Sequence, residues 1–210
     1  MNNSAGRVPE SLPQLAAALR SGDLPLADYL AVLEARFADV EPSIHAFMPG
    51  IERFARLRGE AEALEKRWPA PAGRPPLFGV AVGVKDIMRV DGLPTTAGSQ
   101  LPPEEFEGPE SACVSLLRAA GALMVGKTVS TEFAYFGPGP TRNPRNIDHT
   151  PGGSSSGSAA AVAAGLAPLT LGTQTVGSLI RPAAFCGVVG YKPSYDRISK
   201  KDVIPLSPSL

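Results

Sequence analysis

Three polar side chains stand where the chain is either bare of side chains or strongly apolar: Lys85, Ser154 and Ser178. Lys85 closes the run Phe78-Gly79-Val80-Ala81-Val82-Gly83-Val84. Ser154 follows Pro151-Gly152-Gly153 and leads through Ser155-Ser156-Gly157-Ser158 into the small-residue segment Ala159 to Gly165. Ser178 ends Gly172-Thr173-Gln174-Thr175-Val176-Gly177 and is followed by Leu179-Ile180-Arg181-Pro182. Glycine lets a ligand come close to the backbone. A serine nucleophile needs a neighbouring base. A lysine can be that base once burial disfavours its charged form. Two such serines and one such lysine point to hydrolysis that needs no histidine. The turn Thr175-Val176-Gly177-Ser178 can aim consecutive N–H groups at one oxygen, as a tetrahedral oxyanion requires.

Each of these residues also has a plainer reading. Lys85 could pair with Asp86 at a strand end, and Ser154 could cap the helix that runs to Ala164. Ser155 and Ser156 are equally available as caps, and Ser178 could sit in an ordinary glycine-rich turn. Val176 is β-branched, so a turn needing positive φ there would be strained.

The elements that must position these residues follow from the hydrophobic pattern. Residues 11–40 predict two short helices broken by Gly22-Asp23 and Pro25, with Leu26, Tyr29, Leu30 and Leu33 on one face. A longer helix is expected from about Ile51 to Trp68, its stripe formed by Leu57, Ala61, Leu64 and Trp68. The proline-rich stretch Pro69 to Pro76 stops it. Residues 1–70 are therefore a helical lead-in and residues 71–210 an α/β region. In the latter, strands are expected at Phe78 to Val84, Ala122 to Val125, Leu169 to Gly172 and Val188 to Tyr191. Helices are expected at Glu110 to Ala120 and Ser154 to Ala164. Strands and helices in alternation indicate a sheet with helices on its faces. Pro138 to Pro151 is a polar loop holding His149.

Composition narrows the functional classes. The chain has 210 residues, 43% of them hydrophobic, with 20 Lys+Arg against 20 Asp+Glu. That balance argues against a nucleic-acid surface or a polybasic membrane anchor. No apolar run reaches the roughly 20 residues needed to span a bilayer. No signal-peptide core follows Met1-Asn2-Asn3, so a cytoplasmic location is expected. Cys113 and Cys186 are expected as buried small hydrophobes without a thiolate-stabilising neighbour. The two histidines, His45 and His149, and two cysteines cannot assemble a zinc site at recognisable spacing. No metal or other cofactor is expected. His149 lies near Ser154 in sequence, but no Gly-x-Ser-x-Gly elbow surrounds that serine. Gly121-Ala122-Leu123-Met124-Val125-Gly126-Lys127-Thr128 matches the P-loop pattern formally. Its middle residues suit a buried strand rather than a phosphate loop.

Taken together, Gly83-Val84-Lys85-Asp86, the segment Thr150 to Gly165, and Gly172 to Ser194 resemble the amidase signature family. Phe185-Cys186-Gly187 and Gly190-Tyr191-Lys192-Pro193-Ser194 belong to the same likeness, which extends from about Pro76 onward. The resemblance implies a mixed β-sheet flanked by helices and a Ser-Ser-Lys triad. Ser178 would be the acylated nucleophile, Ser154 a relay bonded to both Ser178 and the lysine, and Lys85 the base. It also implies a cis peptide bond at Ser154 and an oxyanion site at Thr175, Val176, Gly177 and Ser178. The substrate would be a small-molecule amide, hydrolysed without direct nucleic-acid or membrane contact. Two positions depart from the family pattern: Gln174 stands where an acid is usual, and Val176, where glycine is usual, is expected to narrow the acyl pocket. Family members are longer, so an N-terminal portion of the fold is expected. The alternative is a truncated or non-catalytic member acting as an assembly or binding subunit, for example of an amidotransferase complex. An incomplete sheet would also favour pairing with another copy or a partner subunit.

Overall fold

The computed structural model describes residues 8–9, 11–50 and 52–206. The segment Met1 to Arg7, the expected helix start at Ile51, and residues 207–210 lie outside the described residues. Three helices come first: α1 (Leu12–Ser21), α2 (Leu26–Ile44) and α3 (Arg53–Arg67). Gly22, at φ 86°, ends α1 in the left-handed conformation that glycine adopts without a Cβ penalty. Then follow β1 (Ala81–Lys85), α4 (Ala112–Ala119), β2 (Leu123–Thr128), α5 (Ser156–Ala163), β3 (Leu169–Leu171) and α6 (Ile180–Cys186). Short 3-10 turns lie at Pro71–Gly73, Pro103–Phe106 and Glu132–Ala134.

The strands form one sheet in the order β2-β1-β3. Both pairings are parallel, with Lys85 opposite Thr128 and Gly83 opposite Thr170. Each of these parallel neighbours is reached through a helical crossover, as parallel pairing requires. The expected mixed sheet is thus parallel among the described strands. Antiparallel pairing is confined to isolated bridges such as Phe47 to Thr128 and Met88 to Val203.

The helical lead-in and the sheet share one core. Leu15, Leu19, Leu30 and Leu57 from α1, α2 and α3 are buried in the same cluster as Val82, Val84, Met124 and Val125. β1 and β2 are buried at every position, which explains their unbroken apolar runs. α3 packs against β2 and α2, and α5 packs across all three strands.

Several expected elements shift. The strand expected from Phe78 starts at Ala81, because Leu77 to Val80 form a turn closed by Val80 N–H donating to Leu77 O. β2 runs three residues past Val125 to Thr128. The segment Val188 to Tyr191 is not a strand: it follows the left-handed cap Gly187, and Val189 is 96% exposed. α6 was not expected from the pattern, being short and carrying Pro182 within it.

α5 starts at Ser156 rather than Ser154, and its serines cap nothing. They tie the helix to the sheet instead. Ser156 Oγ donates to Val129 O (3.3 Å) and Ser158 Oγ to Leu171 O (2.9 Å). Thr170 Oγ1 returns a bond to Ser158 O (3.0 Å). Gly157 lets this happen: a Cβ there would overlap Ala46 O and Val129 N. A helix of Ser, Gly and Ala can therefore lie flush against the strands, and this brings Ser154 to the end of β1.

Candidate active site

Lys85 is the last residue of β1, and its side chain is fully buried. Its Nζ donates to Ser154 Oγ at 2.7 Å and to Thr173 Oγ1 at 2.9 Å. No carboxylate forms an ion pair with it among the described residues. Burial, with no carboxylate beside it to counter the loss of solvation, pulls the ammonium down from its ordinary value to about 7. The surface pair with Asp86 is not formed. Asp86 Oδ1 lies 2.8 Å from Lys127 Nζ, held by charge without the alignment of a hydrogen bond. Asp86 Oδ2 accepts from Thr96 Oγ1 (2.6 Å), Thr96 N–H (3.2 Å) and Gly98 N–H (3.3 Å). Lys127, in the segment that matches the P-loop pattern, is a buried strand residue donating to Thr95 Oγ1 at 2.6 Å.

Ser154 is buried and follows a cis peptide bond from Gly153. Its carbonyl accepts from Thr131 N–H at 3.1 Å, and Gly153 leaves room for the Thr131 methyl. Two contacts join this turn to the Ser178 loop. Ser155 N–H donates to Ser178 O at 2.9 Å. The Arg181 guanidinium donates twice to Gly153 O, at 3.0 and 2.7 Å. Lys85, Ser154 and the Ser178 loop thus converge from β1, the turn before α5 and the turn before α6. Among the described residues no hydrogen bond joins the hydroxyls of Ser154 and Ser178. The hydroxyl of Ser154 is engaged with Lys85, and Ser178 is half-buried.

The N–H groups of Thr175, Val176, Gly177 and Ser178 donate to no protein acceptor among the described residues. That leaves a run of donors free for a developing oxyanion. Val176 has no positive φ, so the β-branched residue carries none of the expected strain. Its side chain is 93% exposed in this chain. Gln174 Oε1 accepts from Leu179 N–H (3.0 Å) and Ile180 N–H (2.9 Å). It does with an amide oxygen what an acid would do at the start of α6, satisfying two otherwise unpaired donors.

Other sequence candidates stay apart from this cluster. His149 lies in an exposed turn, and His45 caps α2 in a left-handed conformation. Among the described residues neither imidazole bonds to Ser154 or Ser178. Burial raises both thiols, Cys186 to about 11, so neither is a ready thiolate. No group of His, Cys, Asp and Glu among the described residues could hold a metal ion. No described helix is long and apolar enough to cross a membrane. Three site residues were missed in the sequence: Thr173, Ser155 as a loop clamp, and Arg181. All three stand inside the glycine-and-serine motifs. Their partners lie far off in sequence, which a local pattern does not report.

Residues 30–210 match the family described as Amidase. The glutamyl-tRNA(Gln) amidotransferase A subunit of Roseiflexus sp. (strain RS-1) is 39% identical over 199 residues, covering 92% of this chain and 40% of that protein. The protein of the same name from Thermus thermophilus is 46% identical, over 83% of this chain and 36% of that protein. The native peptide amidase of Stenotrophomonas maltophilia is 34% identical with a TM-score of 0.83, over 96% of this chain and 43% of that one. The chain spans about two fifths of the length of these relatives. By these matches, and by an α/β fold of parallel strands flanked by helices that it shares with solved amidases, the chain belongs to the amidase family.

Proposed function

We propose that this chain carries the acyl-transfer site of an amidase that hydrolyses a carboxamide. The observation that supports it is a buried Lys85 amine 2.7 Å from Ser154 Oγ with hydroxyls, not a carboxylate, around it. A lysine drawn down to about 7 is partly neutral near neutral pH and can accept a proton. In the proposed sequence Ser154 passes its proton to Lys85 Nζ and takes the proton of Ser178. Ser178 Oγ bonds to the amide carbon, and the oxygen's negative charge falls on the N–H groups of Thr175 to Ser178. The C–N bond then breaks as Ser154 returns a proton to the departing amine. Water adds to the acyl-serine by the same relay and releases the carboxylic acid. The Ser154–Ser178 bond that this path needs forms on substrate binding, as catalytic hydrogen bonds commonly tighten only in the complex.

The test is labelling of the folded chain with a fluorophosphonate, the adduct being located by peptide mass spectrometry. Adduct on Ser178 is expected, rising as pH passes through about 7 and lost in Ser178→Ala and Lys85→Ala. A folded chain that labels nowhere, or elsewhere than Ser178, overturns the hydrolase reading for this chain. A second reading is an assembly or binding subunit of an amidotransferase-like complex. It is favoured by the unlinked hydroxyls of Ser154 and Ser178 and by the likeness to amidotransferase A subunits.

A further inference from the structure

Lys85 has two hydroxyl neighbours, and only Ser154 belongs to the triad. The other, Thr173, accepts from Lys85 Nζ at 2.9 Å and lies on the loop between β3 and Ser178. Its backbone is held by Ser155. Ser155 Oγ accepts from Thr173 N–H at 3.2 Å and donates to Thr173 C=O at 3.2 Å. Gly172 makes room for that clamp, since a Cβ there would stand 2.9 Å from Ser155 Oγ. Consecutive residues therefore serve one amine: Ser154 touches it, and Ser155 fixes the residue that touches its other side.

We propose that Thr173 is a positioning residue, its backbone held by Ser155 so that its hydroxyl orients the Lys85 amine toward Ser154. The inference rests on the reading of Lys85 as the base. A neutral amine has two N–H donors and one lone pair. To accept a proton from Ser154, the lone pair must face that hydroxyl, and an N–H must then find an acceptor elsewhere. Thr173 Oγ1 is that acceptor. In the ammonium form both hydroxyls accept, so Thr173 also supplies one of the two bonds, among the described residues, that offset burial of the charge.

No charged group competes for this role among the described residues. Asp86 is engaged by Lys127, Thr96 and Gly98. Arg181 is engaged by Gly153 O, and the neutral Gln174 by the N–H groups of Leu179 and Ile180. α5 offers hydroxyls and methyls, and β2 offers Thr128 opposite Lys85.

The test is an NMR titration of the chain with isotopically labelled lysine side chains, the Lys85 resonance being assigned by its loss in Lys85→Met. Thr173→Val removes an acceptor from the charged form, so the Lys85 midpoint is expected to fall by about one pH unit. Thr173→Ser restores the hydroxyl and is expected to restore the wild-type midpoint. Should Thr173→Val unfold, Thr173→Ala serves the same comparison. An unchanged midpoint without the hydroxyl, or no recovery in Thr173→Ser, overturns the proposal while leaving Lys85 as a candidate base. A wild-type Lys85 that titrates near its ordinary value of about 10.4 instead overturns the reading of Lys85 as base.

Discussion

Lys85 and Lys127 lie near the ends of adjacent parallel strands, Lys85 opposite Thr128 and Lys127 opposite Val84, and both are buried. They differ in what surrounds the nitrogen. Lys127 has the Asp86 carboxylate at 2.8 Å and Thr95 at 2.6 Å. Burial draws it down from its ordinary value, and the Asp86 carboxylate opposes that fall. Lys85 has two hydroxyls and no carboxylate, so no opposite charge counters its burial. An ammonium with its counter-ion is a strut, whereas an amine without one can exchange a proton. On the proposed function, the sheet holds one lysine for architecture and one for chemistry, and the Asp86 carboxylate, directed to Lys127, separates the two roles.

That difference is broken most severely by Asp86→Asn. The substitution strands the Lys127 charge in the interior and costs about 3–5 kcal/mol, the usual penalty for removing one partner of a buried pair. Urea denaturation at neutral pH measures it. Removing the stranded charge as well, Asp86→Asn with Lys127→Met, is expected to recover most of the loss, because the asparagine oxygen can still accept from Thr96 and Gly98. An Asp86→Asn chain as stable as wild type would mean that the pair is dispensable and the contrast between the lysines illusory.

Lys85→Met acts in the opposite direction. Below about 7 Lys85 is charged in both folded and unfolded chains, and the folded state bears the full cost of burying it. Between about 7 and the unfolded value near 10.4 the unfolded state binds more protons, so wild-type stability rises with pH. Lys85→Met removes the penalty and is expected to be more stable than wild type at pH 6 by up to a few kcal/mol. The gain shrinks across that window and is gone at its alkaline end. Denaturation midpoints at several pH values measure it. A Lys85→Met chain less stable than wild type at pH 6 would give Lys85 a structural role like that of Lys127. Fluorophosphonate labelling is expected to be lost in the same variant, so that stability and reactivity part company at Lys85.

Much of this contrast was legible in the sequence, and the illegible part has a physical pattern. Lys85 at the end of an apolar run already predicts a buried amine, and the glycine-serine motifs predict backbone close to a ligand. Helices α1 and α2 follow from punctuation by Gly22 and Pro25 and from one apolar face. What local pattern does not carry is who partners whom across the chain. Asp86 next to Lys85 suggested a pair, yet Asp86 is taken by Lys127 on the neighbouring strand. The serines at the start of α5 suggested caps, yet Ser155 binds Thr173 and Ser156 binds Val129, whose proximity only the tertiary fold creates. Val188 to Tyr191 had strand composition, but strand pairing needs a neighbour, and the described sheet offers it none.

Gln174 sharpens the comparison most finely. It stands beside Thr173 in the loop that reaches Lys85, and its amide oxygen satisfies the N–H groups of Leu179 and Ile180 without adding charge. An acid there would satisfy the same donors, because a carboxylate oxygen also accepts both. It would in addition place a negative charge in the one region of the site that has none. Gln174→Ala should therefore cost about 1 kcal/mol, as loss of a helix cap does, read as a lowered denaturation midpoint. Gln174→Glu should leave stability near wild type and raise the Lys85 titration midpoint by about half a pH unit, because a carboxylate favours the ammonium but acts here through solvent-accessible space. A falling midpoint in Gln174→Glu would show that the loop rearranges rather than adding a charge. An unmoved one would place residue 174 beyond electrostatic reach of Lys85, and glutamine's neutrality would then have no bearing on the base.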